Sequence, residues 1–145
     1  MLTERDNLTD NRFWFGHTEP DNVPLIREKA ESEGPLILAM RHPVDVAKSW
    51  IKRSKTLDDT FKSMWRTLFG LKAEILDSFW LPVDVDDRDE YLKAIEKRVG
   101  LSLVNDFTPR GVFAAQNYEY SSGMTVEEAT EWLKNLPFEA FGYRL

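Results

Sequence analysis

Arg41 and Ser49 are the two residues whose types and spacing best suit a chemical task. They bracket the stretch Arg41-His42-Pro43-Val44-Asp45-Val46-Ala47-Lys48-Ser49. A guanidinium is a planar fork of donors that matches a phosphate or sulfate, and a hydroxyl adds one further donor. Arg41 follows an apolar run and precedes a His42-Pro43 turn, and Ser49 lies on the helix that the turn opens. A helix N-terminus contributes backbone N–H groups to the same region. The combination is an anion site in outline. The two histidines stand apart and there are no cysteines, so no metal site is expected.

The elements that must hold these residues read as an alternation of strands and helices. Leu36-Ile37-Leu38-Ala39-Met40 is an apolar run without alternation, bounded by Gly34-Pro35 and Pro43. It predicts a strand buried on both faces, with Arg41 at its carboxyl end, where open parallel sheets bind ligands. Pro43 suits the first turn of the following helix, and Asp45 suits its dipole. Upstream, Arg12-Phe13-Trp14-Phe15-Gly16 has strand character. Asp21-Asn22-Val23-Pro24 reads as a helix start, with Asn22 or Asp21 as cap, and Leu25 to Glu33 as a charged helix that stops at Gly34-Pro35.

Downstream, Thr56 to Asp59 opens a helix reaching about Ser78. Leu57, Phe61, Met64, Trp65, Leu68, Ile75 and Leu76 mark its core face, and Gly70 weakens or bends it. The stripe Phe61, Trp65, Phe69 belongs to the core. Phe79 to Val85 predicts another strand, with Pro82 at an edge or bulge. Arg88 to Val99 predicts a helix closing at Gly100, and Val112 to Ala115 a further strand. Thr125-Val126-Glu127-Glu128 is a capping box that starts a helix to about Leu136. The fold class expected is α/β, a reduced parallel sheet of three or four strands flanked by helices.

With 145 residues, 42% of them hydrophobic, the chain is expected to form one α/β domain over residues 12–145, behind a loose polar terminus at residues 1–11. No apolar run reaches membrane-spanning length and no leader pattern is present, so a cytoplasmic protein without membrane contact is expected. The net charge of −6 argues against nucleic-acid binding. Charge is unevenly spread, however. Between Arg41 and Lys72 there are eight Lys/Arg against three Asp, so this stretch is basic and the rest carries −11. A positive zone on an acidic protein can focus a small anion.

Taken together, these residues resemble the later part of a sulfotransferase that uses 3′-phosphoadenylyl sulfate (PAPS). Arg41 to Ser49 is similar to that family's 3′-phosphate motif: an Arg, a short turn ending in Pro, Asp-Val-Ala, and a Ser eight beyond the Arg. Gly16-His17-Thr18-Glu19-Pro20 resembles the segment whose His is the base. Leu81 to Leu101 and Phe141-Gly142-Tyr143 look like the late strand, helix and tail. The resemblance implies a P-loop-like sheet, with PAPS or 3′-phosphoadenosine 5′-phosphate held by Arg41 and Ser49. It implies His17 as the group that deprotonates an acceptor hydroxyl. Thr108-Pro109-Arg110-Gly111 resembles the family's trailing phosphate loop without its Lys, which makes Arg110 and Gly111 further candidates for cofactor binding.

The departures bear on catalysis. The family's phosphosulfate loop, which should precede Phe13, has no counterpart in the residues there, and its catalytic Lys is Phe15 here. The resemblance is thus to a truncated form, without the groups that stabilise charge in the transition state. The missing loop's strand would lie between Pro35–Met40 and Phe79–Val85. These two strands pair directly, or another segment, another protein chain or a second copy completes the sheet. Two functions follow as expectations: a sulfotransferase-like domain that binds the nucleotide, or a non-enzymatic relic serving as a protein-binding or inhibitory protein. A cut-down nucleotide kinase is a weaker third, since it too needs a phosphate loop.

Overall fold

The computed structural model describes residues 20–52, 57–103 and 123–145. After a 3-10 turn at Pro20–Asn22 come α1 (Val23–Glu33), β1 (Leu36–Met40), α2 (Pro43–Lys52), α3 (Asp59–Glu74), β2 (Ser78–Pro82), α4 (Arg88–Val99) and α5 (Val126–Leu133). A second 3-10 turn, Phe138–Phe141, follows. The class is mixed α/β. Among the described residues the sheet has two strands, fewer than the three or four expected. The segments at Arg12–Gly16 and Val112–Ala115 lie outside the described residues, as do residues 1–11.

β1 and β2 pair directly and in parallel, from Leu36 opposite Ser78 to Met40 opposite Pro82. Of the arrangements left open, direct pairing is the one observed. The ladder is closed at its ends by Leu36 N–H to the Asp77 carbonyl and by Val83 N–H to the Met40 carbonyl, both 2.9 Å. That pattern commits Leu36, Leu38 and Met40 to β2 and aims the amides of Ile37 and Ala39 away from it. Pro82 closes β2 on the same logic. An even-numbered residue of this strand would point its N–H outward, so the ring costs no ladder bond, as suits an edge.

The expectation of a strand buried on both faces is corrected. Leu38 and Met40 are buried, whereas Ile37 is half-buried and Ala39 exposed, and Phe79 and Leu81 opposite them are half-buried. One face therefore carries the main core and the other is less deeply covered, with α3 and α4 both packed against β2. Ile95 of α4, fully buried, lies outside the main cluster of core residues.

Local chemistry fixes the helix ends. The Asp58 side chain accepts from Thr60 N–H at 2.9 Å and starts α3. Thr125 and Glu128 form the reciprocal capping box of α5. Gly100 ends α4 in the left-handed conformation, φ 72°. Asn22 and Asp87 precede α1 and α4 without a side-chain capping bond. The long helix ends at Glu74 rather than near Ser78, and Leu76, expected on its core face, is 95% exposed. Ser78 explains the stop: its hydroxyl bonds the carbonyls of Ile75 and Lys72, groups that a continuing helix would have used. β2 is accordingly Ser78–Pro82 and leaves Val83 to Val85 to a turn, and α5 stops at Leu133 instead of Leu136.

The core joins the sheet to the chain's end. Phe61 and Trp65 of α3 are buried, as expected, while Phe69 is half-buried. Trp65 meets Phe138 edge-on at 5.0 Å, and Phe69 packs on Phe138, Trp80 and Phe141. Aromatic pairs in these tilted geometries add to plain burial. The practical effect is to bring Gly142, Tyr143 and Arg144 back to the carboxyl end of β1, beside Arg41. None of the described helices is long and apolar enough to cross a membrane.

Candidate functional site

The site is built on the turn between β1 and α2. Because β1 ends at Met40, Arg41 is the first residue beyond the sheet, and it is exposed. Among the described residues it makes no ion pair, with Asp45 or with any other carboxylate. Ser49 is the seventh residue of α2 and is half-buried. α2 buries Pro43, Ala47 and Ile51 along one stripe, which leaves Ser49 on the far flank, about 160° round the helix from that stripe. With 3.6 residues per turn, Asp45 lies about 40° from Ser49 on that flank, one turn nearer the helix start. The Ser49 hydroxyl has no hydrogen bond within the described residues.

His42 caps α2 through its ring. Its Nδ1 accepts Val44 N–H at 3.2 Å, so that nitrogen carries no proton in the bonded form. The other nitrogen, Nε2, then bears the proton and donates to the Arg144 carbonyl at 3.1 Å. Both ring nitrogens are thus occupied by structure, in line with a residue that shapes the turn. The helix N-terminus has few donors to spare for a ligand. Pro43 has none, the Val44 N–H is taken by the ring, and the Val46 N–H by the His42 carbonyl.

A third group completes the turn, and the sequence reading did not anticipate it. Asp84, just past β2, accepts His42 N–H on Oδ2 at 2.9 Å and the Tyr143 hydroxyl on Oδ1. The same hydroxyl lies 3.2 Å from the Met40 carbonyl, and the Tyr143 ring meets the His42 ring edge-on at 5.4 Å. Burial pushes the Tyr143 phenol far above its ordinary value, and the hydrogen bond and charge of Asp84 push the same way, while Arg41 pulls it down. Tyr143 is therefore a proton donor and no base. Nothing in the local sequence pairs Asp84 with Tyr143, since 59 residues separate them. The terminal Phe141-Gly142-Tyr143, whose Gly142 is left-handed at φ 81°, was the one available signal.

Beside this turn lies a cleft of about 360 Å³, lined by His42, the Asp84–Asp87 turn, Gly142 and Tyr143. Its charged lining is carboxylate alone, from Asp84, Asp86 and Asp87, so an anion is repelled from the cleft proper and attracted to the side that carries Arg41. Among the described residues no group of His, Asp or Glu could hold a metal ion. His17, Arg110 and Gly111 lie outside the described residues. What the structure brings together from the expected site is Arg41 and the head of the helix that carries Ser49. Comparison with protein-family models, with curated proteins and with solved structures finds no match.

Proposed function

We propose that this chain binds a small phosphorylated nucleotide through Arg41 and Ser49 without turning it over. PAPS and its product 3′-phosphoadenosine 5′-phosphate are the ligands that the motif suggests. The observation that carries this reading is the state of Arg41: a guanidinium at the carboxyl end of a parallel strand, exposed and free of ion pairs among the described residues. Such a group is available for a bidentate phosphate contact, and the unengaged Ser49 hydroxyl on α2 supports it. Catalysis has less support. His42 and Tyr143 are both engaged in structure, neither is poised as a base, and the charge-stabilising Lys of the motif has no counterpart.

Isothermal titration of 3′-phosphoadenosine 5′-phosphate into the protein is the test. Binding in the micromolar range is expected, weakened at least about tenfold by Arg41→Ala and less by Ser49→Ala. Absence of binding at millimolar ligand would overturn the reading. It would leave the second one, a non-enzymatic protein-binding relic, which the self-contained bonding of Asp84, His42 and Tyr143 favours. A sulfate-transfer assay with His17→Ala separates binding from turnover; the expected result is no turnover with either form.

A further inference from the structure

The inference drawn here deepens the nucleotide-binding reading and rests on it. Asp84 already offers an anion to the turn that Arg41 begins. Its two oxygens hold the His42 N–H and the Tyr143 hydroxyl. Arg41 acts on that same hydroxyl with the opposite sign, yet no ion pair joins Arg41 to Asp84. A cation and a carboxylate thus act on one hydroxyl with opposite sign, without forming an ion pair with each other. A phosphate on Arg41 would sit in the field of Asp84, and like charges so placed oppose one another. Asp84 is exposed, so a carboxylate that gives up these two bonds is rehydrated. The His42 N–H and Tyr143 O–H it releases are donors of the kind that a phosphate oxygen accepts.

We propose that Asp84 sets the affinity of the site: it is an internal carboxylate that holds two donors, and an incoming phosphate takes them over as Asp84 leaves. Tyr143, being buried and held as a donor, positions the exchange.

The test is titration of 3′-phosphoadenosine 5′-phosphate into wild type, Asp84→Asn and Asp86→Asn, with the His42 amide followed by NMR. Asn removes the charge and keeps one acceptor oxygen, enough for Tyr143, while its NH2 group cannot accept the His42 N–H. Asp84→Asn is expected to lower the dissociation constant about tenfold. Asp86→Asn alters the same cleft without touching the turn's hydrogen bonds, and is expected to change it less than about threefold. The His42 amide should shift on saturation of the wild-type protein. Equal gains from the two variants, no gain from Asp84→Asn, or a stationary His42 amide during saturable binding would overturn the proposal while leaving nucleotide binding intact. If neither wild type nor Asp84→Asn binds, the parent reading fails and this one with it. Should Asp84→Asn fail to fold, the His42 amide of the wild type still decides the matter.

Discussion

Tyr143 shows how one side chain can join two distant parts of this chain and leave a trace in solution. The residue is 3% exposed, and its hydroxyl meets a carboxylate of Asp84 and the carbonyl of Met40. Burial is the first cause of its raised pKa, and the bond to Asp84 the second. A raised phenol keeps its proton in the folded state at a pH where the unfolded chain loses it, near 10.0. Its contribution to stability is therefore fully present below pH 10 and is lost as the pH climbs above it. Tyr143→Phe is expected to lower stability at pH 7 by about 1 kcal/mol. It should also flatten the fall in melting temperature between about pH 9 and 11. Tyr91, raised by burial and by Asp87, leaves a residual slope. A Phe variant that loses stability as steeply as wild type across that range would show that Tyr143 is not the group responsible.

At the scale of elements, two glycines make opposite forecasts. A Cβ at Gly34 would lie 2.7 Å from the Ala30 carbonyl oxygen and 3.1 Å from Asp77 Oδ2. Neither neighbour can yield freely. Ala30 accepts the Gly34 N–H that closes α1, and Asp77 holds Arg98 of α4 through two bonds of 2.9 and 2.6 Å. Gly34→Ala is expected to cost about 2 kcal/mol in urea denaturation. Gly70 lies inside α3, which runs unbroken from Asp59 to Glu74, and a Cβ there meets nothing within 4 Å. Gly70→Ala should stabilise by about 0.5–1 kcal/mol, since only helix propensity changes.

Such local features are also what the sequence made legible. Asp58, Gly100 and the Thr125–Glu128 pair each declare a helix end through a bond or a backbone conformation that the residue itself supplies. The helical period past Glu74 misled because Leu76 keeps the spacing while Ser78 ends the helix by taking its carbonyls. The less covered side of β1 was illegible for another reason. All five residues from Leu36 to Met40 are apolar, so nothing in them marks which face is less deeply covered. At the candidate site, the motif singles out Arg41 in the sequence, whereas Asp84 and Tyr143 meet only through tertiary folding.

For the molecule as a whole, the sharpest question is posed by the outer edge of β1, beside which no strand lies among the described residues. The register makes Leu36, Leu38 and Met40 the residues that exchange hydrogen bonds with β2, and the amides of Ile37 and Ala39 face the other way. Unpaired strand edges beside exposed apolar side chains are places where further strands add. Residue-resolved hydrogen exchange reads this directly, because each amide reports its own acceptor. With β1 and β2 as the whole sheet, protection should alternate: slow exchange at Leu38 and Met40, fast at Ile37 and Ala39. Even protection along Leu36–Met40 would overturn the two-stranded sheet. Its dependence on protein concentration would then discriminate between a second copy, whose pairing weakens on dilution, and a strand from the same chain, whose pairing does not. Alternation that persists to high concentration would mean that the edge remains solvated, and that the fold is held by the aromatic core of Phe61, Trp65 and Phe138 rather than by its sheet.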